Sequence, residues 1–298
     1  MKSVRKAVLP VAGLGTRVLP AAKTTPKNLL NVFDRPILAH VVAEARAAGI
    51  EHMIFIVGRG QSAIEDYFDH NIELETQLEA KGKTDILAEV RADLASPGEM
   101  SFVRQMRPLG LGHAVWCARD LIDDEPFAVI LPDMLMAAEP GALSQAVEAY
   151  DQVGGNIIVV EPVHHTETHR YGIVDLEPAD GRRARMRGMV EKPPQGTAPS
   201  NLIVSGRYIL QPEIFDLLGA HETGAGGEIQ LTDAMVKLMA MQDFHALEYD
   251  GVTYDCGDKI GLLRANVAFA LRHAELGSAA REAVAGVLSP KQAPSTTR

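Results

Sequence analysis

The sequence predicts an α/β fold in which helices cover a largely parallel sheet. Apolar runs with the length and composition of buried strands recur along the first half of the chain: KAVLPVA, HMIFIVG, MSFVRQ and FAVILPD. Helical segments separate these runs, and such alternation is typical of parallel sheets. With 298 residues, the chain can bury a substantial core without disulfides or structural metals.

The first helix is predicted within RPILAHVVAEARAAG, residues 35–49. Pro36 suits a first turn, apolar residues follow at helical spacing, and Gly49 is a stop signal. We expect this helix to pack on the sheet beside the first strand. A long loop then connects the strand to the helix.

The second half is richer in strands. NIIVVEPV is followed by YGIVDLE, ARMRGMVEKP, LIVSGRYIL and FHALEYDGVTYDC, which indicate an inserted or appended layer of mixed strands. The pair Asp250-Gly251 predicts a tight hairpin turn. KIGLLRANVAFALRHAEL, from Lys259, predicts one long helix, and SPKQAPSTTR has the composition of a frayed tail.

Composition and charge exclude several classes of function. A net charge of -10 argues against a nucleic-acid partner, which would require a basic surface. No apolar run reaches the roughly 18 residues of a membrane span, and Pro10 and Arg17 break the apolar N-terminal stretch that resembles a signal peptide. Cys117 and Cys256 are too few and too distant for a disulfide framework. We expect a cytoplasmic protein without membrane partners.

The loop after the first strand, VAGLGTRVLPAAKTTPK, has the chemistry of a polyphosphate clamp. Its glycines let backbone N–H groups approach phosphate oxygens, and Arg17, Lys23 and Lys27 supply positive charge. A dinucleotide fingerprint would need a third glycine where the chain has Val18, and a helix immediately after it. The loop alone leaves open a surface turn with solvated cations.

Several sequence motifs, spread in order over most of the chain, resemble those of a known family. PVAGLGTRVLPAAKTTPK resembles the signature loop of the sugar-1-phosphate nucleotidyltransferases, above all the branch that uses UTP and glucose 1-phosphate. Further matching motifs follow in the family's order: FVRQMRPLGLGHAV, ILPDM, RYGIVD, VEKPP, GGEIQLTDAM and YDCGDKIGLLRA. The resemblance, from Val8 to about Ala265, implies a Rossmann-like three-layer fold with a mainly parallel mixed sheet and an added strand-rich sugar-binding layer.

The expected organisation is one nucleotidyltransferase domain over residues 1–288. Within it, residues 1–154 mainly bind the nucleotide, residues 155–258 mainly bind the sugar, and residues 259–288 form a C-terminal helical segment. Residues 289–298 are expected to be a flexible tail. The resemblance also implies a homo-dimer or homo-tetramer.

In the reaction that the resemblance implies, an oxygen of the sugar phosphate attacks the α-phosphorus of UTP and pyrophosphate leaves. The nucleophile is already an anion, so catalysis requires alignment and charge stabilisation by Mg²⁺, cationic side chains and backbone N–H groups. Arg17 is expected to hold the β- and γ-phosphates, and Lys27 to contact the triphosphate near its α-phosphate. Lys23 is expected to be solvated or a minor contributor.

Two aspartates are the expected magnesium ligands. Asp133 ends the run FAVILPD, and Asp255 precedes Cys256-Gly257. A carboxylate at the C-terminal end of a strand faces the crevice where α/β sheets bind ligands, and Mg²⁺ prefers oxygen donors. A lone Asp there is more often a turn or cap residue, but both match family positions that hold the metal.

The sugar phosphate is expected to meet VEKPP and RYGIVD. Glu191 can accept hydrogen bonds from sugar hydroxyls, Lys192 can supply a point charge to the phosphate, and Gly172 permits close approach. Adjacent residues of a strand point to opposite faces, so both side chains reach one ligand only if the strand bends there. Pro193 and Pro194 favour such an irregularity.

Base selection is assigned to Gln105, whose amide can pair with the edge of uracil or thymine, and to close backbone approach at Gly110. The expected nucleotide-binding residues are Ala12, Gly13, Gly15, Thr16, Gln105 and Gly110. His113 is predicted to lie at a helix N-terminus rather than act as a catalyst. Glu228 and Gln230 are predicted to open a helix and to be mainly structural or at subunit contacts.

Three departures from the family pattern keep alternatives open. Asn28 and Asn31 in PKNLLN replace an acid and a proline, and Met134 replaces the second acid of an Asp-Asp pair. These changes are expected at the rim of the site, where they could alter base or sugar preference. The alternatives are an enzyme using dTTP or another sugar phosphate, and a catalytically weakened regulator that binds sugar nucleotides.

Overall fold

The computed structural model describes residues 1–178 and 181–289. Except for its first residue, the predicted tail 289–298 lies outside this part. The strands are β1 (Lys6–Pro10), β2 (Asn31–Val32), β3 (Arg35–Pro36), β4 (His52–Val57), β5 (Met100–Arg104), β6 (Phe127–Ile130), β7 (Met134–Ala137), β8 (Asn156–Pro162), β9 (Gly172–Leu176), β10 (Arg183–Glu191), β11 (Leu202–Leu210), β12 (Phe244–Glu248) and β13 (Val252–Asp255).

The helices alternate with these strands along the first half of the chain, and two helices follow the last strand. They are α1 (Ile37–Ala47), α2 (Ala63–Phe68), α3 (Ile72–Ala80), α4 (Thr84–Ala92), α5 (Leu111–Trp116), α6 (Arg119–Ile122), α7 (Ala142–Val153), α8 (Ile214–Gly219), α9 (Leu231–Leu238), α10 (Lys259–Arg272) and α11 (Gly277–Leu288). None of the helices in the described ranges has the length and apolar character needed to cross a membrane.

A nine-stranded sheet, in the order β5-β4-β1-β6-β11-β8-β12-β10-β9, forms the centre of the molecule. The first four strands in this order run parallel, which confirms the prediction for the first half. Val8 of β1 pairs with Ile54 of β4 on one side and with Val129 of β6 on the other. The C-terminal ends of these strands therefore face one common crevice.

The strands of the second half continue the same sheet and make it mixed. β11 is antiparallel to both β6 and β8, whereas β12 is parallel to β8. β10 is antiparallel to β12 and β9. The two halves of the chain thus meet along the β6–β11 border, and one continuous sheet carries residues from both halves.

Helices pack on both faces of this sheet, giving three layers. Side chains of β1 alternate between the faces: Ala7 and Leu9 join the cluster under α1 and α7, and Val8 joins the cluster under α5, α8 and α9. All three side chains are fully buried. The period-two pattern of β1 explains why both faces of this strand must be apolar.

Two predicted elements differ from the structure. Asp250-Gly251 does not form a hairpin, because β12 finds its partners in the main sheet while β13 pairs with β7 in a separate two-stranded sheet. The predicted long C-terminal helix ends at Arg272, where the backbone of His273 becomes extended, and α11 follows as a separate helix. His273 contacts Asp34 and Phe33 at this break.

Candidate active site

The loop after β1 folds back on itself and brings Lys27 beneath its glycine turn. Gly15 has φ 64°, and a Cβ added there would lie 2.8 Å from Cβ of Lys27. Only glycine permits both this left-handed backbone and this approach. Short 3₁₀ turns at Thr16–Val18, Ala21–Lys23 and Lys27–Leu29 carry the chain around the bend.

Asn28 anchors the loop from below. Its side chain is 1% exposed, and its Nδ2 donates a hydrogen bond to the carbonyl oxygen of Val11 at 3.3 Å. The expectation that this departure lies at the rim is therefore wrong for Asn28, because its amide is buried between the two ends of the loop. Asn31 is exposed, and Met134 begins β7.

Pairing of β7 with β13 brings the two predicted metal ligands together. Met134 is opposite Asp255 in this antiparallel pair, and the N–H of Cys256 donates to the carbonyl oxygen of Asp133 at 2.8 Å. Neither β7 nor this pairing was predicted from the sequence. The small sheet fixes Asp133 and Asp255 side by side although they lie far apart in the chain.

Cations of the glycine loop face both carboxylates. Nζ of Lys27 lies 2.6 Å from Oδ2 of Asp133, and Nη1 of Arg17 lies 3.4 Å from Oδ2 of Asp255. Burial opposes ionisation of Asp133, but the Lys27 charge and hydrogen bond outweigh it and lower the pKa of that carboxyl. Burial raises the pKa of Asp255, against the opposing effects of Arg17 and the Gly257 N–H.

The space beside Gly257 is where these groups converge. A Cβ at Gly257 would lie 2.8 Å from Oδ1 of Asp255 and 3.1 Å from Oδ2 of Asp133, and 2.5 Å from Nη2 of Arg17. A single point thus lies near one oxygen from each carboxylate. Two hard oxygen donors beside a glycine fit a divalent cation that also binds substrate phosphates, provided that the Arg17 guanidinium leaves this point, because its Nη2 is the atom nearest to it.

A cavity of about 460 Å³ lies on one side of Asp133. It is lined by all the residues predicted to bind the nucleotide, together with Lys27, Asp133 and Glu228: Ala12, Gly13, Gly15, Thr16, Gln105 and Gly110. Gly110 has φ 105°, and a Cβ there would lie 2.8 Å from both Cβ of Glu228 and the carbonyl oxygen of Ile229. The loop before α5 is therefore packed tightly on the segment before α9.

Gln105 is held by its neighbours in this cavity. Its Nε2 lies 3.1 Å from the carbonyl oxygen of Gly110 and 3.1 Å from Nδ1 of His113. A carbonyl oxygen can only accept, so the amide nitrogen must face Gly110. His113 lies in the first turn of α5, as predicted, and it also orients the amide.

A second cavity, of about 510 Å³, lies on the other side of Asp133. Its lining includes the residues predicted to bind the sugar phosphate, which are Gly172, Glu191 and Lys192. Four more charged residues also line it: Arg17, Asp133, Arg170 and Asp255. Gly172 is opposite Glu191 across the β9–β10 pair. Lys192 has φ 45°, so the chain turns sharply after β10 and both Glu191 and Lys192 line the same cavity, as the sequence required.

Thr232 is a residue of this cavity that the sequence analysis missed. Its Oγ1 donates to Oε2 of Glu191 at 3.0 Å, and Nζ of Lys192 lies 3.3 Å from Oε1 of the same carboxylate. Thr232 belongs to GGEIQLTDAM, whose Gln230 is the N-cap of α9 as predicted, whereas Glu228 lies in extended backbone before it. Gln230 of the same motif also lines the cavity, so the sequence analysis named the motif but missed the residue that binds Glu191.

The chain matches known proteins over nearly its full length. The family described as "Nucleotidyl transferase" matches residues 6–270. A UTP–glucose-1-phosphate uridylyltransferase of Bacillus subtilis (strain 168) is 49% identical over 276 residues, which cover 93% of this chain and 94% of the relative.

Solved structures agree with this match. A UDP-glucose pyrophosphorylase from Acinetobacter baumannii superposes with a TM-score of 0.88 at 44% identity, covering 95% of this chain and 99% of that protein. A UTP-bound UGPase from the same organism gives a TM-score of 0.87 at 44% identity, with the same coverage. The fold, the glycine loop and these matches together show that the chain belongs to the nucleotidyl transferase family.

Proposed function

We propose that the protein transfers a uridylyl group from UTP to glucose 1-phosphate, producing UDP-glucose and pyrophosphate. One observation carries the proposal: Asp133 lines both cavities, so a nucleotide on one side and a sugar phosphate on the other meet at a carboxylate. The B. subtilis relative is named for this reaction, and a solved relative binds UTP, which supports the choice of substrates.

In this proposal, residues 1–154 supply most of the nucleotide site and residues 155–258 most of the sugar site. The backbone at Ala12 and Gly13 meets the base together with Gln105 and Gly110. Gly15 and Thr16 line the path of the triphosphate. Backbone N–H groups at such glycine turns bind phosphate oxygens without adding bulk.

The chemical step needs no proton transfer. A phosphate oxygen of glucose 1-phosphate attacks the α-phosphorus of UTP, a new P–O bond forms, and the bond to the β-phosphate oxygen breaks with its electron pair leaving on pyrophosphate. Lys27 neutralises charge near the α-phosphate, and Arg17 neutralises charge on the departing pyrophosphate. Lys192 holds the sugar phosphate in line, and Glu191 with Gly172 orients the sugar ring.

Asp133 and Asp255 are the proposed ligands of Mg²⁺. A point beside Gly257 lies within reach of one oxygen from each carboxylate, and magnesium sites in nucleotide enzymes commonly use one or two carboxylates with substrate phosphates completing the shell. When bound, the ion supplies positive charge to the phosphates. Before it binds, Lys27 and Arg17 provide positive charge beside these carboxylates.

The proposal extends to compartment and assembly. Cys117 and Cys256 are both free thiols, which supports a reducing compartment such as the cytoplasm. Ile260 and Leu263 of α10 are 64% and 58% exposed, which supports burial of this helix in a homo-dimer or homo-tetramer. Light scattering coupled to size exclusion, at several protein concentrations, tests the assembly.

The decisive assay is pyrophosphate release from purified protein with UTP, glucose 1-phosphate and Mg²⁺, with parallel reactions that omit each component. The expected result is release that requires all three. A reaction with dTTP in place of UTP tests base preference, because the two nucleotides differ at the 2′-OH and the 5-methyl group. Faster release with UTP is expected.

Other outcomes would select the alternatives. Release only with dTTP or another sugar phosphate would keep the mechanism and change the substrate. Thermal stabilisation by nucleotides without any pyrophosphate release, across a full substrate panel, would identify a binding protein that has lost catalysis.

A further inference from the structure

Arg207 is a fully buried arginine beneath the loop that carries Asp133. It lies on β11 directly after Gly206, whose φ of 80° marks an irregularity in the pairing of β11 with β8. Its side chain is 0% exposed. A buried guanidinium must find partners for its charge and for each of its N–H groups.

Every donor of Arg207 is used within the protein. Nε and Nη2 bind Oε1 and Oε2 of Glu44 at 3.1 and 2.7 Å. The remaining N–H groups bind the carbonyl oxygens of Leu131 at 3.1 Å, Gly206 at 3.2 Å and Met134 at 2.9 Å. These contacts account for the five N–H groups of a guanidinium, so Arg207 has no donor left for a substrate.

The carbonyl groups of Leu131 and Met134 flank Asp133. Arg207 thus holds the backbone on both sides of this carboxylate, while the N–H of Cys256 holds the carbonyl of Asp133 itself. Glu44 of α1 extends the support, because its Oε1 also accepts from the N–H of Leu143 in α7 at 3.0 Å. The loop is therefore attached to two helices of the rigid core through one ion pair.

Stability alone does not account for this arrangement. Replacement of a buried ion pair by apolar side chains of similar volume is often neutral or stabilising, because the desolvation cost offsets the Coulomb attraction. What apolar side chains cannot do is bind two carbonyl groups at fixed positions. The contribution of the ion pair is therefore to hold the backbone of residues 131–134 in place.

We propose that the Arg207–Glu44 pair is a positioning device that sets Asp133 at the distance from Asp255 required for the divalent cation. The inference rests on the proposed function, because it deepens the assignment of these two carboxylates. Neither Arg207 nor Glu44 touches the substrates in this account. Both act through the backbone of the loop.

The test compares the double variant Arg207→Met/Glu44→Leu with the wild type by calorimetric titration of UTP into full-length protein. Each protein is titrated once with Mn²⁺ and once with a chelator, without sugar phosphate, so that no turnover occurs. The wild type is expected to bind UTP more tightly with Mn²⁺. The affinity for UTP with Mn²⁺ divided by the affinity with chelator is expected to be about 10-fold or more smaller in the double variant than in the wild type. A loss of this size is typical when residues that orient metal ligands are removed.

The chelator titration separates positioning from general damage. Metal-free UTP binding should stay near the wild-type value, because the hydrogen bonds of Arg207 go to Glu44 and to the carbonyl groups of Leu131, Gly206 and Met134, and none goes to the glycine loop or to Gln105. Equal weakening with and without Mn²⁺ would overturn the proposal, and so would an unchanged Mn²⁺ gain in a folded variant. A wild type without any Mn²⁺ gain would overturn it too.

A matched control and a second variant complete the design. Arg46 and Glu99 form another two-point ion pair, at 2.6 and 3.0 Å, that also binds backbone carbonyls but lies on α1 and before β5. Arg46→Met/Glu99→Leu should leave the Mn²⁺ gain unchanged. If Arg207→Met/Glu44→Leu does not fold, Arg207→Lys keeps the charge and loses the planar fork, and the same loss of gain is expected.

The outcomes also distinguish this inference from the proposed function. Absence of UDP-glucose formation by the wild type would refute the function. The titrations involve no turnover, so they test the role of Arg207 independently of catalysis.

Discussion

Lys27 and Asp133 lie 106 residues apart in the chain, yet Nζ of Lys27 is 2.6 Å from Oδ2 of Asp133. Their side chains are only 17% and 19% exposed. The contact joins the glycine loop to the end of the fourth parallel strand. It also places the positive charge of Lys27 beside Asp133, the proposed metal ligand, without any bound cation or substrate.

This contact makes stability depend on pH. The pKa of Asp133 lies below its ordinary value in the folded protein. The ion pair with Lys27 therefore stabilises the fold fully at pH values above the ordinary carboxyl pKa of about 3.9. This stabilisation is lost as the pH falls through the lower pKa of the folded state. We expect Asp133→Asn to lower the free energy of unfolding at pH 7 by about 1–3 kcal/mol. Urea denaturation from pH 7 to pH 3 should show this difference shrinking, and a constant difference would contradict the account.

Arg17 is expected to act in catalysis without contributing to folding. Its side chain is 58% exposed, so Arg17→Ala should change the free energy of unfolding by no more than about 0.5 kcal/mol. Loss of its charge beside the departing pyrophosphate should lower kcat/KM by about 100-fold or more. Thermal melts and steady-state kinetics test both parts. Lys23→Ala, an exposed cation of the same loop, is the control and should remain active; wild-type kinetics for Arg17→Ala would remove it from the mechanism.

Gly110 is expected to control the fit of the nucleotide. Gly110→Ala would place a methyl group against Glu228 and Ile229 and force the loop to shift, with a backbone cost of about 1–3 kcal/mol at this positive φ. The KM for UTP should rise while the KM for glucose 1-phosphate changes little. Gly98 also has positive φ, but a Cβ added there would have no neighbour within 4 Å. Gly98→Ala should therefore cost stability alone, and a similar rise in KM for UTP in both variants would contradict the explanation.

Thr232 is expected to position Glu191 for the sugar. Thr232→Val keeps the shape of the side chain and removes the hydrogen bond to the carboxylate, so the KM for glucose 1-phosphate should rise about 2- to 10-fold, equivalent to 0.5–1.5 kcal/mol. The KM for UTP should stay unchanged. Thr232→Ser retains the hydroxyl and should behave like the wild type. Equal changes in the two KM values would indicate a general structural effect instead.

Local patterns in the sequence predicted the elements that depend on local chemistry. The apolar runs of β1, β4, β5 and β6 identified the parallel half of the sheet, because strands buried on both faces must be apolar throughout. Glycines and cations in the loop around Arg17 and Lys27 indicate a phosphate clamp, but a surface turn with solvated cations has the same pattern. Asp133 and Asp255 stand out at strand ends, but that position alone favours a turn or cap role, and the family resemblance carries the prediction that they bind the metal.

Features that depend on distant partners were missed or mispredicted. Asp250-Gly251 has hairpin chemistry, yet the strands on either side of it pair with different sheets. β7 is short, and its partner β13 follows more than a hundred residues later in the chain. Thr232 and Arg207 carry no local signal, because their roles arise from hydrogen bonds to Glu191 and to the Asp133 loop that only the tertiary structure creates.

In the proposed reaction, an oxygen of the sugar phosphate attacks the α-phosphorus of UTP. The most direct measurement uses glucose 1-phosphate labelled with ¹⁸O in its phosphate oxygens, incubated with UTP, Mg²⁺ and the wild-type protein, with mass spectrometry of both products. The proposed reaction produces UDP-glucose that retains all of the label and pyrophosphate that contains none. Label in the pyrophosphate, or no UDP-glucose at all, would contradict it.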